Sequence, residues 1–150
     1  ESKMKAKLTA IAAFVLGASA SAQVLAHHSF AAEFDGNAKV SLHGVVTKVD
    51  WTNPHTYIYI EVENDAGQVE EWGMEMGSPN GLMRRGWTRN TLEIGTEVII
   101  EGSRARDGSL KGNAQTVILA ETCQRMFAGT SQSDFVDDEN AAVEGCTPSA

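Results

Sequence analysis

Apolar and polar positions alternate through the middle of the chain with the period of a β-strand, not that of a helix. The stretch "HTYIYIEVE" is the clearest case, with Ile58, Ile60 and Val62 on one face and Tyr57, Tyr59 and Glu61 on the other. "QVEEWGMEM" repeats the pattern, placing Trp72, Met74 and Met76 together. The Val-rich "KVSLHGVVTKVDW" predicts an earlier strand, bent at Gly44. "TEVIIEGSRAR" and "NAQTVILAE" predict two later strands joined through Asp107-Gly108. Only "GSPNGLMRRGW" signals a helix, with Ser78 as N-cap, Pro79 at the first helical position and Gly86 as a left-handed stop. Five strands with a short helix between the third and fourth is the order of a small OB-like barrel, so the expected fold is mainly all-β. Another small β-barrel or sandwich is the alternative. Gly44, Gly73 and Gly102 are expected to serve the tight curvature of such a barrel.

The second and third strands can be registered from their pattern alone. Matching the apolar faces requires Ile60 opposite Trp72 and Ile58 opposite Met74. That register leaves Asp65-Ala66-Gly67 as a three-residue hairpin loop, with Gly67 at the left-handed position such loops favour. It also places Tyr57 opposite Glu75 on the outer face, with His55 one diagonal step from Glu75.

The two ends have a different character. Residues 1–26 read as a secretory signal: Lys3, Lys5 and Lys7 precede the apolar stretch Leu8 to Leu16, and small residues follow. Cleavage sites are expected after Ala22 or after Ala26. An uncleaved anchor is the alternative, disfavoured because the apolar part falls short of the ~20 residues a spanning helix needs. Residues 27–127 are then the barrel domain with its lead-in, and residues 128–150 a flexible acidic tail carrying Asp134, Asp137, Asp138 and Glu139. The whole chain has a formal net charge of −8, and losing the leader makes the remainder more acidic still. Such a body repels nucleic acid and attracts cations. Cys123 and Cys146 are the only cysteines, and in an exported chain they are expected to form one disulfide that staples the tail to the last strand. Free thiols or a Cys metal pair are weaker readings, since no CxxC spacing is present.

Four histidines occur, and two of them, His27 and His28, are adjacent just after the leader. Cleavage after Ala26 would give His27 a free amine, and amine plus imidazole chelate Cu(II). His55, in the turn after "WTNP", would join them, with Glu75 as an oxygen ligand or as a partner orienting the imidazole. The plainer alternatives are a solvated linker for His27 and His28 and a local turn contact for His55. His43, in mid-strand, is expected to pack within the barrel, and Met74 and Met76 in its core. Arg84, Arg85 and Arg89 flank Trp87, a pattern that suits salt bridges around a packed aromatic better than nucleic-acid binding. There is no GxSxG, no HExxH and no phosphate-cradling glycine loop. Adjacent Glu70 and Glu71 point to opposite faces of a strand and cannot act as a catalytic pair.

"AHHSFAAEFD", "GVVTKVDWTNPH", "SPNGLMRRGW" and "GTEVIIEGSRARDGS" together resemble a family of small exported bacterial proteins of unknown function, over about residues 26–120. The resemblance implies an exported single domain without an established reaction, and His27, His28 and His55 belong to the motifs that carry it. The functional expectation is a periplasmic or secreted, non-enzymatic binding module for a transition metal, copper first and zinc second, held by His27, His28, His55 and Glu75. A structural subunit of an envelope or extracellular assembly is the alternative, contacting its protein partner through Trp51, Tyr57, Tyr59 and Trp87. A redox enzyme built on an N-terminal copper brace is a third reading.

Overall fold

The computed structural model describes residues 30–129 and Cys146. The chain divides into two units, residues 1–33 and 34–150. Residues 30–33 are helical. From Phe34 onward the order is β1 (Phe34–Asp50), β2 (Tyr57–Glu63), β3 (Val69–Glu75), α1 (Pro79–Met83), β4 (Glu97–Ala105), β5 (Lys111–Leu119) and β6 (Arg125–Phe127). The sheet runs β3-β2-β1-β4-β5-β6, and β3 also pairs with β5. That extra pairing closes β1, β2, β3, β5 and β4 into a ring of hydrogen-bonded strands, with the helix between the third and fourth strands as the pattern predicts. The closing seam is short and parallel: Gly73 with Lys111, Met74 with Gly112, Glu75 with Asn113.

The inward face is set by the alternation. Ile58, Ile60, Trp72, Met74 and Met76 are all buried and share one core with Val46, Val98, Ile100 and Val117. The β2–β3 register pairs Ile60 with Trp72, Ile58 with Met74 and Tyr57 with Glu75, and Gly67 takes a positive φ of 74° in the connecting loop. Glycine is required where strands crowd. A Cβ at Gly44 would collide with the Glu61 carbonyl, and one at Gly102 with the Asn113 carbonyl, so both positions let the ring curve tightly. Helix α1 starts as expected: the Ser78 hydroxyl accepts from the Gly81 amide at 3.2 Å and Pro79 stands in the first turn.

Several expectations are corrected. The described strands number six, because Arg125–Phe127 adds a short strand against Thr116, Val117 and Ile118 of β5. The chain remains packed through Ala128, whose amide bonds the Gln115 carbonyl and whose carbonyl accepts from Gly77. β1 begins at Phe34 rather than Lys39, since Phe34 pairs with Ala105 and is buried. His43 is not packed in the core: Leu42 and Val46 take the inward positions, and His43, with a side chain 57% exposed, pairs with Glu97 at 2.8 Å. The expected disulfide joins Cys123 and Cys146.

Candidate functional site

Glu75 is an outer-face residue that is nonetheless buried, its side chain only 8% exposed. It ends β3, where the strand is flanked by β2 on one side and β5 on the other. A carboxylate leaves water only at a cost, unless it is paired and hydrogen-bonded. Here both oxygens are engaged. Tyr57, directly opposite in the register, donates its hydroxyl to Oε2 at 2.6 Å. His55 sits two residues before β2 and places Nδ1 2.9 Å from Oε1. The cluster arises because the backbone keeps strand-like pairing beyond β2, with the Met76 amide on the Thr56 carbonyl and the Thr56 amide on the Gly77 carbonyl. The Thr52 hydroxyl also reaches the His55 carbonyl, at 3.5 Å.

Of the two roles open to Glu75, this geometry suits the orienting one: one oxygen is on Tyr57 and the other on His55. The His55 ring nitrogen Nε2 has no partner among the described residues, and the ring is partly exposed, with 37% of the side chain accessible. An imidazole so held by a buried carboxylate presents Nε2 as a fixed lone pair when neutral. Among the described residues, no group of three or more His, Cys, Asp or Glu is placed to hold a metal ion. His27 and His28 lie outside the described residues.

The aromatic residues expected at a contact surface are differently placed. Trp87 is buried, and its indole nitrogen donates to the Phe127 carbonyl at 2.7 Å. That corrects its expected role on an interaction surface, because the ring is committed to holding β6. Trp51 packs partly buried against the core. Tyr57 is tied to Glu75, and the Tyr59 ring is half-buried under the Lys48 ammonium, 4.9 Å from its centroid. Hydrogen bonding to Asp50 raises the Lys48 pKa. Arg85 stacks on the Phe127 ring and donates to the Gly129 carbonyl at 3.0 Å. Burial is the main cause lowering its pKa, with Arg84 beside it adding to the effect. Arg104 lies over the Trp72 ring, and Arg106 approaches Asp35 at 3.8 Å.

Elsewhere a surface groove of ≈ 770 Å³ runs past His43, Glu93, Ile94, Glu97, Ile99 and Cys146. His55, Tyr57 and Glu75 take no part in it. No helix among the described residues is long and apolar enough to cross a membrane.

The profile of a family of unknown function, DUF6152, matches residues 15–115. The chain belongs to that family. No curated protein matches it in sequence. The DUF6152 span contains His27, His28, His55, Tyr57 and Glu75 and ends before Cys123, so the His55–Glu75–Tyr57 contacts lie within the matched region and the disulfide outside it.

Sequence reasoning found His55 and Glu75 through the hairpin register. It had no signal for Ser103 and Asn113, buried polar residues of β4 and β5 that stand in the same cross-strand row as Glu75.

Proposed function

We propose that this DUF6152 protein is an exported, non-enzymatic module that binds a divalent transition metal, copper in preference to zinc. The observation that carries the reading is the His55–Glu75–Tyr57 chain of hydrogen bonds. Histidines that ligate metals generally donate their second ring nitrogen to a carboxylate, which fixes the tautomer and makes the other nitrogen a better ligand. Glu75 is buried and anchored for that task, and its burial is otherwise an expense for a surface position of a small barrel. In this reading Nε2 of His55 is one ligand, and the sequence offers His27 and His28, outside the described residues, as candidates for the others. The acidic body favours cation capture at long range. Imidazole ligands suit copper and zinc alike, and a nitrogen-rich set favours Cu(II).

Calorimetric titration of the exported protein with Cu(II) and with Zn(II) tests the proposal. Wild type is expected to bind Cu(II) more tightly than Zn(II). Glu75→Gln should weaken binding by about 10- to 100-fold, the usual effect of losing an orienting partner. Wild-type binding no tighter than that of a variant with His27, His28 and His55 all changed to Ala would end the proposal.

A further inference from the structure

The row of side chains that starts at Tyr57 and Glu75 continues across the closing seam. Glu75 is paired with Asn113, and Asn113 with Ser103. Paired residues on neighbouring strands present their side chains to the same face. Met74 and Trp72 point inward, so this row lies on the outer face. Asn113 is 3% exposed and Ser103 is fully buried. Asn113 Nδ2 and Ser103 Oγ are buried atoms with no hydrogen-bond partner among the described residues. Buried polar groups in native proteins are nearly always satisfied, by protein or by ordered water.

The charged acceptor in the row is Glu75. Each of its oxygens already accepts one hydrogen bond, from Tyr57 or from His55, and has capacity for another. Strands are spaced about 4.8 Å apart, so Ser103 stands two strands away and cannot reach Glu75 directly. One water above Asn113, the residue between them, bridges polar atoms up to about 5.6 Å apart, and two to four polar partners are what an internal water needs. An anion is excluded by the carboxylate, and an apolar guest would leave both donors unpaired.

We infer that a single internal water bridges this row, accepting from Asn113 Nδ2 and Ser103 Oγ and donating to Glu75. The bound water makes Asn113 and Ser103 positioning residues for His55. They hold the carboxylate that holds the imidazole, and the relay runs across β4, β5, β3 and β2. The inference concerns the site of the proposed function but holds whether or not a metal binds there, so its test is made on the metal-free protein.

Water–protein nuclear Overhauser spectra of the full chain should show a long-lived water contacting the Asn113 side-chain amide protons. Ser103→Ala, which removes one hydroxyl with little change of volume, should speed solvent exchange of the His55 Nδ1 proton about fivefold, the equivalent of one ordinary hydrogen bond. Exchange of the Ile60 backbone amide, deep in the core, should stay at the wild-type rate. Asn113→Ala should act in the same direction. Absence of the long-lived water contact overturns the inference. So does a folded Ser103→Ala protein whose His55 proton exchanges as in wild type. Failure of metal titration alongside a positive water contact would remove the metal proposal and leave this inference standing.

Discussion

Trp87 and His43 each depart from one expectation about which side of the surface they take. The arginines around Trp87 suit a packed aromatic, and the ring is packed; it is the contact-surface alternative that fails, because the indole is buried against β6 and bonds the Phe127 carbonyl. The partner lies 40 residues away, beyond any local signal. Trp87→Phe keeps most of the packing and leaves that carbonyl without its donor, so it should cost about 1–3 kcal/mol. Trp87→Ala should cost about 3–5 kcal/mol, the range for emptying a large aromatic site. Urea unfolding measures both, and near-equal losses would mean that the ring is not packed as described. His43 shows the reverse error. Leu42 and Val46 fill the inward positions of β1, so alternation turns His43 out to an exposed pair with Glu97. Surface pairs contribute about 0–1 kcal/mol, so His43→Ala should leave the urea midpoint within about that margin. By contrast, His55 and Glu75 were legible in the sequence. Their contact depends on the β2–β3 register, and pattern and turn chemistry both fix that register.

At the scale of elements, legibility followed the same line. The β2–β3 hairpin is local, and its alternation and Gly67 turn agree with the structure residue for residue. Asn64 adds a lock that the pattern does not show: its side-chain oxygen accepts from the Ala66 and Gln68 amides and its amide donates to Glu70. Strand β6 had no such signature. It is only Arg125–Phe127, and its anchors come from β5, from Trp87 and from Arg85. The β4–β5 turn was expected at Asp107-Gly108, and there Asp107 accepts from the Ser109 hydroxyl at 2.6 Å and its amide at 2.9 Å. Those bonds, the hydroxyl first, lower the Asp107 pKa below the ordinary aspartate value. A carboxyl that is more acidic when folded stabilises the fold above its unfolded pKa, and that contribution disappears as pH falls through the folded value. Asp107→Ala should therefore lower the melting temperature at pH ~7, and the difference from wild type should shrink by pH ~3. Melts at the two pH values check it, and an equal difference at both would show that the turn gains nothing from the charged form.

The described strands β1 to β5 form a ring closed by three residue pairs, Gly73–Lys111, Met74–Gly112 and Glu75–Asn113. Parallel closure between strands so distant in sequence leaves no local trace, which is why Ser103 and Asn113 were invisible beside Glu75 until the seam was seen. The second long-range tie is covalent. Cys123 and Cys146 are separated by 23 positions, and Cys123 lies four residues past the end of β5. Loop entropy assigns such a bridge about 3 kcal/mol of stability. Its removal should not act evenly. Cys123 adopts a positive φ of 56° in the turn that leads from β5 into β6, with its amide on the Leu119 carbonyl. A non-glycine residue pays strain for that conformation, so the turn relies on its bonds to persist. Once the bridge is opened, that turn and the short strand after it are the first structure to lose support, while the ring keeps its full set of pairings. Reduction, or Cys123→Ser with Cys146→Ser, should therefore speed amide exchange at Met126 and Phe127 under conditions where Ile58 and Ile60 remain protected, and global stability should fall by about 3 kcal/mol. If exchange rose equally in β2 and β6, the disulfide would be supporting the ring as a whole and β6 would not be a separately anchored element.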